Sequence, residues 1–120
     1  MDFISILFNL IILFCILYVG KYISVKFTQN IEIEQLIGDL NKKKFKMIGS
    51  TNCIFCHKQL SELNLDWDTK ILNVINCANN PGICSQNPDI TAFPSWVSGN
   101  GNVYSGFKTL PQLRDMVEKD

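Results

Sequence analysis

Thr51-Asn52-Cys53-Ile54-Phe55-Cys56-His57-Lys58 is the stretch on which the fold of this chain turns. Its CxxC spacing puts two sulfurs within one helical turn, close enough to join and part repeatedly. Phe45-Lys46-Met47-Ile48, ended by Gly49-Ser50, precedes it as a short strand. Phe55, Leu60, Leu63 and Leu65 follow at a loosely helical period, which predicts a helix from about Cys53 to about Leu63. Cys53 then falls at a helix N-terminus, where unpaired N–H groups and the helix dipole favour a thiolate. Cys53 is the expected nucleophile, and Cys56, one turn in and more buried, the expected resolving thiol.

Downstream, Ile71-Leu72-Asn73-Val74-Ile75 reads as a second strand, mostly apolar and therefore expected to be central. Asn79-Asn80-Pro81-Gly82 is a turn signal, and only a turn or two of helix fits before Pro88. Ser95-Trp96-Val97 and Asn102-Val103-Tyr104 flank Ser98-Gly99-Asn100-Gly101, the strongest hairpin signal in the chain. Thr109 is a fitting N-cap for a last helix with Leu110, Leu113, Met116 and Val117 on one face and Pro111 near its start.

Upstream, Phe3 to Gly20 carries no charged residue, and its length corresponds to about 27 Å of helix, close to the hydrocarbon thickness of a bilayer. A membrane anchor over residues 1–24 is expected, in contact with lipid through residues 3–20. A cleaved signal peptide is the alternative, but Met1-Asp2 lacks Lys and Arg and no A-x-A-like site follows. Tyr18 and Tyr22, with Lys21 and Lys26, suit a helix leaving the bilayer there. Cys15 lies inside the apolar run and is assigned no chemistry. Val25 to Asn30 reads as a polar connector, and Asn30 as the cap of an amphipathic helix carrying Ile33, Leu36, Ile37 and Leu40. Residues 31–120 have room for one small domain.

Eleven basic and eleven acidic residues cancel, so no long-range field points to nucleic acid. Lys42-Lys43-Lys44 is the one basic cluster and reads as a solvated helix end, with contact to anionic lipid as the alternative. Lysines follow the apolar segment and none precedes it, which by the positive-inside rule puts the folded part in the cytosol. Persistent disulfides belong to oxidising compartments and argue for the lumenal side. The cytosolic placement fits reductive or viral-type disulfide chemistry and the lumenal one oxidative folding.

The order of elements, the CxxC at the first strand-to-helix junction and Phe93-Pro94-Ser95-Trp96 opening the hairpin make residues of about 31 to 118 resemble the thioredoxin-like superfamily. The nearest resemblance is to the thioredoxin-like domain that accompanies vitamin K epoxide reductase-type membrane proteins, through Cys53, Cys56, Cys77, Cys84 and Pro94-Ser95-Trp96. The resemblance implies an α/β fold with a four-stranded mixed sheet flanked by helices. It also implies a cis Phe93–Pro94 bond lying against the dithiol, with the backbone of Phe93 pairing with an incoming peptide. Thioredoxins carry Trp where this chain has Asn52, and often an acid in the strand before the dithiol, where Phe45–Ile48 has none. Gly106-Phe107-Lys108-Thr109 lacks the Gly-Gly pair and helix-start acid with which glutaredoxins hold glutathione, so glutathione specificity is not expected.

The expected activity is thiol–disulfide exchange with protein substrates, with a separate redox partner and no cofactor. His57 follows the dithiol directly, and as a positive imidazolium would favour ionised Cys53, as would Lys58; a solvent-exposed histidine of small influence is the plainer alternative. Cys77 and Cys84 are close enough in sequence to close a small loop, as a structural disulfide or as a second redox pair passing electrons to Cys53 and Cys56. Two other classes compete with the enzyme. Cys53, Cys56, Cys77 and Cys84 could hold zinc as four thiolates, although six residues separate the second pair where zinc knuckles usually show two. The domain could also be a membrane-anchored interaction module without turnover. Phe55, Phe93 and Phe107 form either an apolar patch around the dithiol, suited to an extended protein substrate, or part of the core.

Overall fold

The computed structural model describes residues 2–120, so Met1 lies outside the described residues. The chain divides into two units, Met1–Glu32 and Ile33–Asp120. Helix α1 runs from Phe3 to Lys42. Its segment Phe3–Gly20 is apolar and the helix is long enough to cross a membrane, with side chains such as Phe8, Phe14 and Leu17 exposed to a surrounding medium. Lipid is the medium that suits such a surface, since helical backbone satisfies its own polar groups.

The connector expected over Val25–Asn30 is instead helical, and Asn30 is an interior helix residue rather than a cap. The segment holds no glycine or proline to stop the helix. The hydroxyls of Ser24 and Thr28 donate to the carbonyls of Gly20 and Ser24, one turn back, and so leave the helical ladder intact.

In the second unit Ile33, Leu36, Ile37 and Leu40 of α1 are buried, the stripe that their spacing predicts. Lys44, with φ of 56°, turns the chain into β1, Lys46–Gly49. Helix α2, Ile54–Glu62, follows, then β2, Asn73–Asn76, and a short α3, Pro81–Ser85. Strands β3, Ser95–Val97, and β4, Val103–Ser105, form the hairpin, and α4, Leu110–Lys119, ends the chain.

The sheet order is β2-β1-β3-β4, with β1 parallel to β2 and antiparallel to β3. A parallel neighbour demands a crossover, which α2 supplies. The chain is thus α/β with a four-stranded mixed sheet. β2 is an edge strand, not the central one its apolar content predicts. β1 takes a central place instead, pairing Met47 with Val74 on one side and with Trp96 on the other. Asn73 and Asn76, together with exposed Ile71, suit a strand with one free edge.

Phe45, Met47, Leu60, Leu63, Trp96 and Leu113 fill the core with almost no exposed surface. Each such apolar side chain contributes about 1.5–3 kcal/mol over leaving it in water. Thr109 caps α4 through a full capping box: its hydroxyl accepts from Gln112 N–H while the Gln112 side chain accepts from Thr109 N–H. Together these contacts hold β1, β3 and α2 in place behind the dithiol.

Candidate functional site

Cys53 is the N-cap of α2, in extended conformation, and its sulfur accepts the backbone N–H of Cys56 at 3.3 Å. The sulfur takes the place that an Asp or Ser oxygen usually occupies at this position. It also reaches the Phe93 carbonyl, 3.7 Å away, as a thiol donor. The Phe93–Pro94 peptide bond is cis, and Pro94 is fully buried. Residues forty positions apart thus meet at one sulfur, because β3 lies beside β1 and the loop before it returns across the end of the strand that feeds α2.

Cys56 is the opposite of Cys53 in environment. It is fully buried while Cys53 is partly exposed. Burial first, and then its hydrogen bond to Cys53, push the Cys56 thiol up to about 12. Taking a sulfur out of water disfavours its charged form, and a neighbouring sulfur that shares its proton adds to the effect. The site therefore holds one accessible sulfur and one protonated reserve thiol.

Three exposed apolar side chains rim the accessible sulfur: Ile54 at 81%, Phe55 at 58% and Phe93 at 38% of full exposure. Phe107, read from the sequence as either patch or core, is half-buried, with the Lys58 ammonium over its ring at 4.8 Å from the centroid. The rim is thus made by the two residues between the cysteines and by the residue before Pro94.

Cys77 and Cys84 form a disulfide with Cα atoms 5.8 Å apart, leaving Cys53 and Cys56 as free thiols. A four-thiolate zinc site needs all four sulfurs converging on one ion. Among the described residues no group of three His, Cys, Asp or Glu side chains gathers to hold a metal. Cys77 follows β2, and its N–H donates to the Gly49 carbonyl at 2.7 Å. The disulfide therefore anchors the start of the segment that leads back to Phe93.

His57 lies in the first turn of α2, one residue past Cys56, and both ring nitrogens are engaged. Nε2 is 2.7 Å from the Thr51 carbonyl, and Nδ1 is 3.1 Å from the Trp67 indole nitrogen. Its sequence neighbour Lys58 is directed to Phe107.

Three supporting residues escape a sequence-only reading. Gln59 is completely buried, and its amide donates to the Lys108 carbonyl at 2.9 Å and accepts from Lys108 N–H at 2.8 Å and from the Trp96 indole at 3.4 Å. Its position was signalled by the 3.6-residue period, since Cys56, Gln59, Leu60 and Leu63 share one stripe. Gly49 has no side chain because the Cys56 sulfur occupies that space: a Cβ there would stand 2.8 Å from Sγ. Asn76 accepts Thr51 N–H on its side-chain oxygen at 3.2 Å and so ties the end of β2 to the turn before Cys53.

No protein-family model matches this chain, and no curated protein matches it.

Proposed function

We propose that this protein is a membrane-anchored thiol–disulfide oxidoreductase, with a thioredoxin-like domain over residues 31–120 carried by a single-pass helix at residues 1–24. The observation that carries this reading is the placing of Cys53. It sits at the N-cap of α2, takes the Cys56 N–H and faces the Phe93 carbonyl, while Cys56 waits buried and protonated behind it. The apolar helix Phe3–Lys42 supports the anchor.

The Cys53 thiolate attacks one sulfur of a substrate disulfide; the substrate S–S bond breaks and the leaving thiolate takes a proton from solvent. Cys56 then gives up its proton and attacks the Cys53 sulfur of the mixed disulfide. This forms the Cys53–Cys56 bond and releases the second substrate thiol. Two electrons and two protons pass to the substrate, and the reverse sequence oxidises a dithiol. A separate redox partner resets the pair.

Ile54, Phe55 and Phe93 around the reactive sulfur favour protein substrates with apolar residues beside the cysteine, because such segments cover surface that is otherwise exposed to water. Cys77–Cys84 serves as a structural disulfide that fixes the segment leading to Phe93.

Insulin reduction by the full chain in detergent, driven by dithiothreitol, tests the activity. The wild type should accelerate chain separation, Cys53→Ser should abolish that acceleration, and Cys56→Ser should accumulate a mixed disulfide at Cys53. Equal rates for wild type and Cys53→Ser would leave the domain an interaction module without turnover.

A further inference from the structure

The turn that presents Cys53 is clasped from two sides. On one side Thr51 N–H donates to the Asn76 side-chain oxygen at 3.2 Å, an oxygen that also accepts Ala78 N–H at 3.1 Å. On the other, the Thr51 carbonyl meets His57 Nε2 at 2.7 Å. His57 also holds Cys53 through the main chain, its N–H donating to the Cys53 carbonyl at 3.3 Å.

The ring's second nitrogen decides its form. Trp67 approaches Nδ1 with its indole N–H at 3.1 Å, the two rings meeting edge to face with centroids 5.7 Å apart. An indole N–H only donates and a carbonyl only accepts. One form of imidazole satisfies both partners: the neutral ring with its proton on Nε2 and its lone pair on Nδ1. An imidazolium carries a proton on each nitrogen and would set Nδ1–H against the indole N–H. Of the two readings open for His57, the exposed position is what the structure has, and a positive ring is not what this pair of hydrogen bonds uses.

We infer that His57 is a positioning residue of the dithiol, which acts as a neutral Nε2–H donor, with its tautomer set by Trp67, and works by holding the Thr51-Asn52 turn in place beneath Cys53. The inference rests on Cys53 and Cys56 being the exchanging pair. The Cys53 sulfur must swing to Cys56 when the internal disulfide forms, and its starting point is set by this turn. Loss of the clasp frees that starting point and should therefore shift the balance between dithiol and disulfide. Trp67, in the loop between α2 and β2 and packed against the core, reaches the Thr51-Asn52 turn through His57.

Glutamine is the discriminating replacement. Its amide N–H can donate to Thr51 and its oxygen can accept from Trp67, and it has no charge to gain. The dithiol–disulfide equilibrium of the full chain, measured in detergent against dithiothreitol buffers, should stay within about twofold of wild type in His57→Gln. It should shift at least about fivefold, in one common direction, in His57→Phe and Trp67→Phe. Nitrogen-15 spectra of the wild type at neutral pH should show the proton on Nε2 alone.

A doubly protonated or Nδ1–H ring at neutral pH would overturn the inference, as would a His57→Gln shift as large as that of His57→Phe. Equilibria unchanged in all three variants would overturn it too. The equilibrium needs only bond formation between Cys53 and Cys56. A wild type inert towards insulin would therefore sink the enzymatic reading while the role of His57 is still decided.

Discussion

The sulfur of Cys56 occupies the place where a side chain at Gly49 would begin, so the last residue of β1 and the buried thiol of α2 share one volume. A Cβ on residue 49 would stand 2.8 Å from Cys56 Sγ, closer than real Cβ atoms approach, and at a tight 3.2 Å from its Cβ. The strand that feeds the dithiol and the helix that carries it pack directly through the reserve sulfur.

Gly49→Ala should destabilise the reduced protein by about 1–3 kcal/mol, the usual cost of overfilling a packed site. Removing the sulfur with Cys56→Ala should recover much of that cost, leaving the 3.2 Å approach of the two Cβ atoms as the remainder. A double-mutant cycle from denaturant unfolding reads the coupling. Equal costs in both backgrounds would place the strain elsewhere.

Alkylation should separate the two free thiols of the site. Iodoacetamide at neutral pH should modify Cys53, which is partly exposed, well before Cys56, which is buried and has its thiol pushed up to about 12. Folding that raises a thiol's value favours the protonated form. The resulting stability is present below the ordinary value of 9.0 and is lost as pH rises from there towards about 12. The reduced chain should accordingly lose stability above about pH 9 more steeply than its Cys56→Ala variant, as thermal unfolding across pH will show.

Gln59→Leu keeps much of the side-chain volume but strands Lys108 N–H, the Lys108 carbonyl and the Trp96 indole N–H. Buried polar groups without partners cost more than the bonds they lose, so a destabilisation of about 2–3 kcal/mol is expected in urea titrations. Gln59→Glu, which keeps two acceptors but loses the donor to Lys108, should also destabilise.

The acid limb of stability should carry the Arg114–Asp39 pair, 2.5 Å apart between α4 and α1. The hydrogen bond from Arg114 holds the Asp39 carboxyl below its ordinary value. A lowered carboxyl stabilises the fold above its ordinary value, and that contribution is lost as pH falls through the lowered one. Asp39→Asn should therefore lower Tm at neutral pH by an amount on the order of a few degrees, a gap that closes on acidification. Asp120, lowered first by its hydrogen bond from Asn102, follows the same sign.

Features governed by neighbours in the chain were readable before any coordinates. The apolar run Phe3–Gly20, the hairpin around Ser98–Gly101, the Thr109 cap and the CxxC at a helix start each depend on residues within a few positions of one another, so sequence spacing carries their physics. The stripe Ile33, Leu36, Ile37, Leu40 was legible for the same reason, although where its helix begins was not: nothing local marks the difference between a solvated connector and a helix that continues through it.

Contacts between distant segments were decided by packing. That β2 takes an edge follows from β1 offering its other side to β3, a choice no pattern within Ile71–Ile75 records. Gln59 is buried because Lys108 and Trp96 arrive from the far end of the chain with three polar groups to satisfy. Cys53 and Cys56 differ in exposure because one ends a loop and the other lies under Gly49. That the Trp67 indole N–H meets His57 Nδ1, ten residues away in the chain, was likewise decided by folding, since a hydrogen-bond partner's direction exists only once the chain has folded.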